Sequence, residues 1–186
     1  MLKVISLFMS RQYLQYLESV TWLSPSITLC LTRFRRYNNS IMRIFITGGS
    51  GFVGKRLINS LSGRGHDGYV LEHKRKPALC SGLVSVPGSL SDVHTYSDYL
   101  RDVDVVVHLA ATVDDWSLKD NYYKVILDGT KLLFEQSLNL GIKHFIFVSS
   151  LSVVNDTTDN IINEQSPYIP KPFCYYANSK IEAEKN

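Results

Sequence analysis

"ITGGSGFVG" (46–54) joins a short β-rich run, "MRIFIT" (42–47), to "FVGKRLINSLSG" (52–63), which predicts a helix stopped by Gly63. Gly48, Gly51 and Gly54 stand at three-residue spacing between that strand and that helix. A chain that turns sharply, lets its backbone approach a pyrophosphate and seats the next helix closely on a sheet has no room for a side chain at any of these steps. The helix start, at Phe52 and Val53, offers free N–H groups and the positive end of its dipole to an anion. Glycines in a tight turn also serve purely structural ends. The strand before and the helix after give the context that a dinucleotide site requires.

Outward from this turn, strand and helix signals alternate. "GYVLEH" (68–73) and "GLVSV" (82–86) are the next strand candidates, and "SDVHTYSDYL" (91–100) predicts a helix capped by Ser91. "DVVVHLA" (104–110) and "HFIFVSS" (144–150) are near-continuous apolar runs, as in parallel strands covered on both faces. Between them a long helix is expected over roughly 119–140, with an apolar stripe of Tyr122, Val125, Ile126, Gly129, Leu132 and Leu133 and a stop at Gly141. Residues 155–172 are polar and contain three prolines, which predicts a loop. The pattern implies an α/β fold: a doubly wound, Rossmann-like parallel sheet of order 3-2-1-4-5, with right-handed crossovers.

The 186 residues suffice for one domain. No apolar run of ~18 residues is present, so no membrane span is expected. Three cysteines, Cys30, Cys80 and Cys174, lie far apart without metal-site or disulfide spacing, which suits a reducing, cytoplasmic setting. No metal is expected. Residues 1–41 carry five basic side chains against one acid, so the remainder is close to neutral. The near-neutral balance of the folded part argues against nucleic acid. The segment 1–41 does not share the strand–helix rhythm and is expected to be an extension outside the fold. Its basic character fits a targeting peptide, and Met42, at the first strand, fits an alternative start. The domain proper is 42–186.

In a doubly wound sheet the end of the second strand reads the adenine ribose, a carboxylate taking the 2′-hydroxyl and a basic group a 2′-phosphate. Both are present: Glu72, then His73, Lys74, Arg75 and Lys76. Arg75 is the expected phosphate contact, which favours NADP, with NAD the alternative and a solvated basic loop the plainer reading.

Near the end of the chain, "YYANSK" (175–180) sets Tyr176 and Lys180 four residues apart, on one face of a helix. A phenol with a free pKa near 10 needs help to act at neutral pH. A lysine ammonium nearby favours the phenolate by ~1–3 units. "VSSLSVV" (148–154) adds serines at the end of the last apolar run.

Together, "TGGSGFVG" (47–54), "DVDVVVHLAA" (102–111), "DGTKLL" (128–133), "IKHFIFVSSLSVV" (142–154) and "YYANSK" resemble the extended short-chain dehydrogenase/reductases, the NAD(P)-dependent epimerase/dehydratase family. The resemblance implies that Tyr176 is the acid/base and that Ser150 holds the substrate oxygen. It also implies that Lys180 binds the nicotinamide ribose and that Ser89, Leu90, Ala110 and Ala111 flank the cofactor. "HLAATVDDW" with "YYKVILDGT" is most similar to branches acting on steroid-like or flavonoid-like substrates, with sugar nucleotides the wider alternative. Ile126 stands where the family often has Asn, and Val154 where it often has Tyr.

Family members continue beyond such a helix into a substrate-binding part. The expected function is therefore the cofactor-binding portion of an NAD(P)-dependent oxidoreductase or epimerase/dehydratase that meets a small-molecule substrate once completed. The alternatives are a non-catalytic NAD(P)-binding module and an inactive fragment. With no sixth strand in view, the outer edge of the strand at 144–149 is expected to be open and to favour self-association.

Overall fold

The computed structural model describes residues 3–7, 41–112, 117–154 and 166–186. Its strands, all parallel, are β1 (Lys3–Leu7), β2 (Arg43–Thr47), β3 (Asp67–Glu72), β4 (Leu83–Pro87), β5 (Val105–His108) and β6 (His144–Val148), in spatial order β1-β6-β5-β2-β3-β4. From β2 onward this is the expected 3-2-1-4-5 arrangement. The crossovers carry α1 (Phe52–Leu61), α2 (Lys119–Tyr122) and α3 (Gly129–Asn139), and α4 (Tyr175–Lys185) follows β6.

The period of the strands builds two cores. Ile44 and Ile46, Val105 and Val107, and Ile146 and Val148 face one side, where Leu57, Ile58 and Leu61 of α1 cover them. The alternate residues Phe45, Val106, Phe145 and Phe147 face the other, against Tyr96, Leu100, Leu133 and Ile142. Burial on both faces explains why these strands read as continuous apolar runs.

Three expectations need correction. The stretch 91–100 is not an α-helix but two 3₁₀ turns, Val93–Thr95 and Ser97–Leu100, and its cap is Asp92, whose carboxylate accepts from the His94 N–H, rather than Ser91. Tyr96 is fully buried there, and its hydroxyl bonds the Leu90 carbonyl at 3.4 Å, which holds the segment in the tighter form. The single long helix is broken in register: a π-helical turn, Tyr123–Asp128, separates α2 from α3. Within it the Ile126 carbonyl accepts from the Thr130 hydroxyl, a side-chain competitor to the regular ladder.

The third correction concerns the sheet edge. β1 pairs in parallel along the whole of β6, from Lys3 opposite His144 to Leu7 opposite Val148, so the outer edge of β6 is not open. Residues 3–7 thus belong to the sheet; 8–40 lie outside the described residues, as does most of the loop expected at 155–172. "KVISL" is short and β-prone, and only tertiary pairing reveals it as a strand. Deletion of residues 1–41 should uncover the β6 ladder and drive self-association in light scattering. A deletion protein that stays monodisperse at the same concentration would show that β1 does not guard this edge.

Candidate active site

The parallel strands all end on one side of the sheet, and the turns that follow β2, β5 and β6 meet there. After β2, Gly48 adopts φ 73° and its amide-side neighbours are backbone: a Cβ would lie 2.7 Å from the Ala110 nitrogen. The Gly51 N–H donates to the Gly48 carbonyl at 3.0 Å, closing the turn. A Cβ on Gly54 would lie 2.3 Å from that same carbonyl, so this glycine lets α1 seat against the turn. Gly49 is also tight, against side chains rather than backbone: a Cβ there would lie 2.3 Å from Val70 Cγ1. Gly51 differs: its Cβ would meet only the Gly48 carbonyl, at 3.2 Å.

The first turn of α1 has no side-chain cap and no acidic residue. Its N–H groups and dipole are therefore available to an anion, and the open side of Gly51 is where a pyrophosphate would approach. The cradle fits a dinucleotide. Val53 packs on the core behind it, and Phe52 is half-exposed with the Arg56 guanidinium 4.7 Å over its ring.

At the end of β3 the Glu72 carboxylate accepts from the Ser85 hydroxyl of β4 at 2.5 Å. His73, Lys74, Arg75 and Lys76 that follow are all exposed. Ser89 bonds the Ser91 hydroxyl at 3.0 Å, while Leu90 is buried in the core with its Cβ against Gly129. Ala110 and Ala111 are half-buried at the end of β5, and the Ala110 N–H donates to Thr47 Oγ1 at 3.2 Å.

That bond belongs to a closed polar chain around His108, which no sequence signal announced beyond a lone imidazole in an apolar strand. Thr130 spends its proton on the Ile126 carbonyl, so its oxygen accepts from His108 Nε2–H at 2.9 Å. Nδ1 then accepts from the Thr47 hydroxyl at 2.6 Å. The ring is neutral, and burial, with the Lys180 charge adding to it, pushes its pKa down to about 3. Below the ordinary value of ~6.5 the unfolded chain takes up a proton that the folded one refuses, so stability is lost as pH falls from there toward 3. Unfolding free energies should drop by up to ~1.4 kcal/mol per pH unit across this window from His108 alone. A His108→Gln variant, whose amide can donate to Thr130 and accept from Thr47 but does not titrate, should lose stability less steeply as pH falls; an identical slope would refute the assignment.

After β6, Ser150 is buried, caps the 3₁₀ turn Leu151–Val153 and lies 2.8 Å from the Ser152 hydroxyl. α4 packs on that turn through Ile181 against Val153 and Val154. Tyr176 is half-buried and meets Tyr122 of α2 edge-on, ring centroids 6.5 Å apart. Lys180 is 1% exposed; its Nζ donates to the Val148 carbonyl at 2.7 Å and sits 4.3 Å over the Phe147 ring. Burial lowers its pKa to about 7, opposed by the Glu184 carboxylate. The structure thus joins the Tyr176–Lys180 helix to the strand end that carries Ser150, beside the turns of the glycine loop and Ala110. It leaves Arg75 in solvent, three residues past the end of β3.

Residues 45–186 match the 3-beta hydroxysteroid dehydrogenase/isomerase family. The chain belongs to this family. Among curated relatives, the decarboxylating sterol-4-alpha-carboxylate 3-dehydrogenase of Dictyostelium discoideum is 33% identical, over 76% of this chain and 46% of that protein. The human enzyme of the same name is 31% identical, over 79% of this chain and 39% of that protein. The 3-beta-hydroxysteroid dehydrogenase of Mycolicibacterium neoaurum is 28% identical, covering 77% and 42%. Among solved structures, the UDP-glucose 4-epimerase of Thermus thermophilus in complex with NAD superposes with TM-score 0.68 at 26% identity, covering 77% of this chain and 49% of that one. The chain spans less than half the length of the curated relatives it matches.

The fold is the Rossmann-like one of solved structures that hold NAD, among them a short-chain dehydrogenase/reductase superfamily protein from Agrobacterium tumefaciens at 28% identity and TM-score 0.67, covering 77% of this chain and 43% of that one. Among the described residues no helix is long and apolar enough to cross a membrane, and no cluster of His, Cys, Asp and Glu could hold a metal. Sequence reasoning missed Gly49, the His108 network and Glu184. Gly49 stands beside three glycines that the spacing singles out, and the other two acquire partners only through the tertiary fold.

Proposed function

We propose that this protein forms the cofactor-binding and acid–base portion of an NAD(P)-dependent dehydrogenase that interconverts a hydroxyl and a carbonyl on a sterol-like substrate. The observation that carries this reading is the anchoring of α4 to the end of β6 through Lys180 and Val148, two residues before Ser150 and on the same side of the sheet as the glycine turn. Family membership and the names of the relatives support the sterol-like class.

NAD(P), when bound, supplies the two-electron hydride acceptor. The Ser150 hydroxyl holds the substrate oxygen, and the Tyr176 oxygen takes the hydroxyl proton on oxidation and returns it on reduction. Lys180 places a positive charge one helical turn from Tyr176, which favours the phenolate form needed to take that proton. Mixing the protein with NAD(P) and either a 3β-hydroxysteroid or a UDP-sugar tests the reading. Reduced cofactor forming with the steroid supports it. Reaction with the UDP-sugar alone, or no binding of either cofactor, overturns it.

The cofactor we propose is NADP. Glu72, the group suited to a ribose 2′-hydroxyl, is already engaged by Ser85, and four exposed basic residues follow it. The structural neighbours solved with NAD make the alternative concrete. Arg75→Ala should weaken NADPH by roughly tenfold, the value of one charge-assisted hydrogen bond, without changing NADH affinity. Calorimetry with both cofactors decides it; equal effects, or none, would remove Arg75 from the site.

A further inference from the structure

Glu184 lies one turn beyond Lys180 on α4, hence on the same helix face as Tyr176 and Lys180. It is half-buried, yet its carboxylate makes two side-chain bonds: one oxygen accepts from the Ser149 hydroxyl, the other from the Tyr168 hydroxyl at 2.9 Å. Ser149 directly follows Val148, whose carbonyl holds Lys180 Nζ. Two adjacent residues at the end of β6 are thus gripped by two residues one turn apart on α4. Tyr168 adds a third element. Its segment bridges back to Val154, so Glu184 also ties the chain returning before α4 to the 3₁₀ turn that Ser150 caps.

Among the described residues, the buried Lys180 ammonium has few charges around it. His108 on β5 is neutral, and the turn Leu151–Val153 has no titratable group. On α2 and the π-helical turn, Tyr122 packs on Tyr176, Lys119 lies over the rings of Tyr123 and Tyr175, and Asp120, Lys124 and Asp128 are exposed. His144 opens β6 at the opposite end of the strand from Val148. Among the described residues, it is the Glu184 carboxylate that opposes the effect of burial on Lys180.

The geometry points to Glu184 as a positioning residue of this site: it clamps α4 to Ser149, next to the Val148 carbonyl that holds Lys180, and sets a negative charge one helical turn from that buried lysine. This inference rests on the reading of Tyr176 and Lys180 as the acid–base pair. Without Glu184, burial would strip Lys180 of its proton more readily, and the charge that favours the Tyr176 phenolate would be lost at neutral pH.

The test is a pH titration of Lys180 by carbon-13 NMR of labelled lysine, in the full chain without cofactor or substrate, so it succeeds or fails independently of turnover. Glu184→Gln, which keeps an oxygen acceptor and removes the charge, should lower the Lys180 midpoint by about one unit. Tyr168→Phe, which loosens the clamp but keeps the charge, should leave that midpoint in place. An unchanged midpoint in Glu184→Gln, or an equal shift in Tyr168→Phe, overturns the proposal. Should the Gln variant not fold, Glu184→Asp withdraws the carboxylate by one methylene and should move the midpoint the same way by less; no movement overturns it.

Discussion

Gly51→Val is expected to cut NAD(P) affinity on the order of 100-fold or more with little loss of stability, whereas Gly54→Val is expected to lose both. The two glycines are three residues apart in one turn, and only the space around them differs. Gly51 has φ −76° and ψ 174°, which any residue adopts, and its Cβ would meet one carbonyl oxygen at 3.2 Å. A valine there costs about 1 kcal/mol as a poor helix cap. Its methyl groups, however, fill the side from which a pyrophosphate reaches the start of α1. At Gly54 the Cβ would lie 2.3 Å from the Gly48 carbonyl and 2.6 Å from Gly49 Cα, both backbone atoms that cannot swing aside. Relief requires the turn to separate from α1, at about 3 kcal/mol or more. Calorimetric titration paired with thermal unfolding of each variant checks this. Equal loss of stability in both would show that Gly51 is structural.

Tyr176→Phe is expected to lower turnover by ~10²–10⁴-fold while cofactor affinity and stability stay near those of the parent. The hydroxyl is the group proposed to exchange the substrate proton. The ring alone makes the edge-on contact with Tyr122, which phenylalanine preserves. Steady-state rates and cofactor titrations measured on the same preparations separate the two. A variant that keeps most of its turnover would move the acid–base role elsewhere, and one that loses cofactor affinity as well would assign Tyr176 to binding.

The parts of the fold legible in the sequence were those fixed by local period and local turn chemistry. Glycine spacing at 48, 51 and 54, the apolar runs of β5 and β6 and the Tyr176–Lys180 interval depend on neighbours a few residues away, and each is present. What escaped depends on partners distant in the chain. β1 becomes a strand because β6 offers an unpaired ladder more than a hundred residues later. The π-helical turn arises where Thr130 competes for the Ile126 carbonyl while holding His108. Lys180 was expected as a charge beside a phenol. Its near-complete burial over Phe147, and its reliance on Glu184, follow from how α4 lands on the strand end.

In the function proposed here, the turn after β2 and the face of α4 form one cofactor site. The most direct measurement is the response of backbone amide signals, in a nitrogen-15-labelled sample, to titration with NADPH or NADH. Saturable shifts are expected at Gly48, at Gly51 through Gly54 and at the start of α4 around Tyr176, with little change along β4. Shifts confined to the exposed basic stretch 73–76, or none at saturating cofactor, would contradict it.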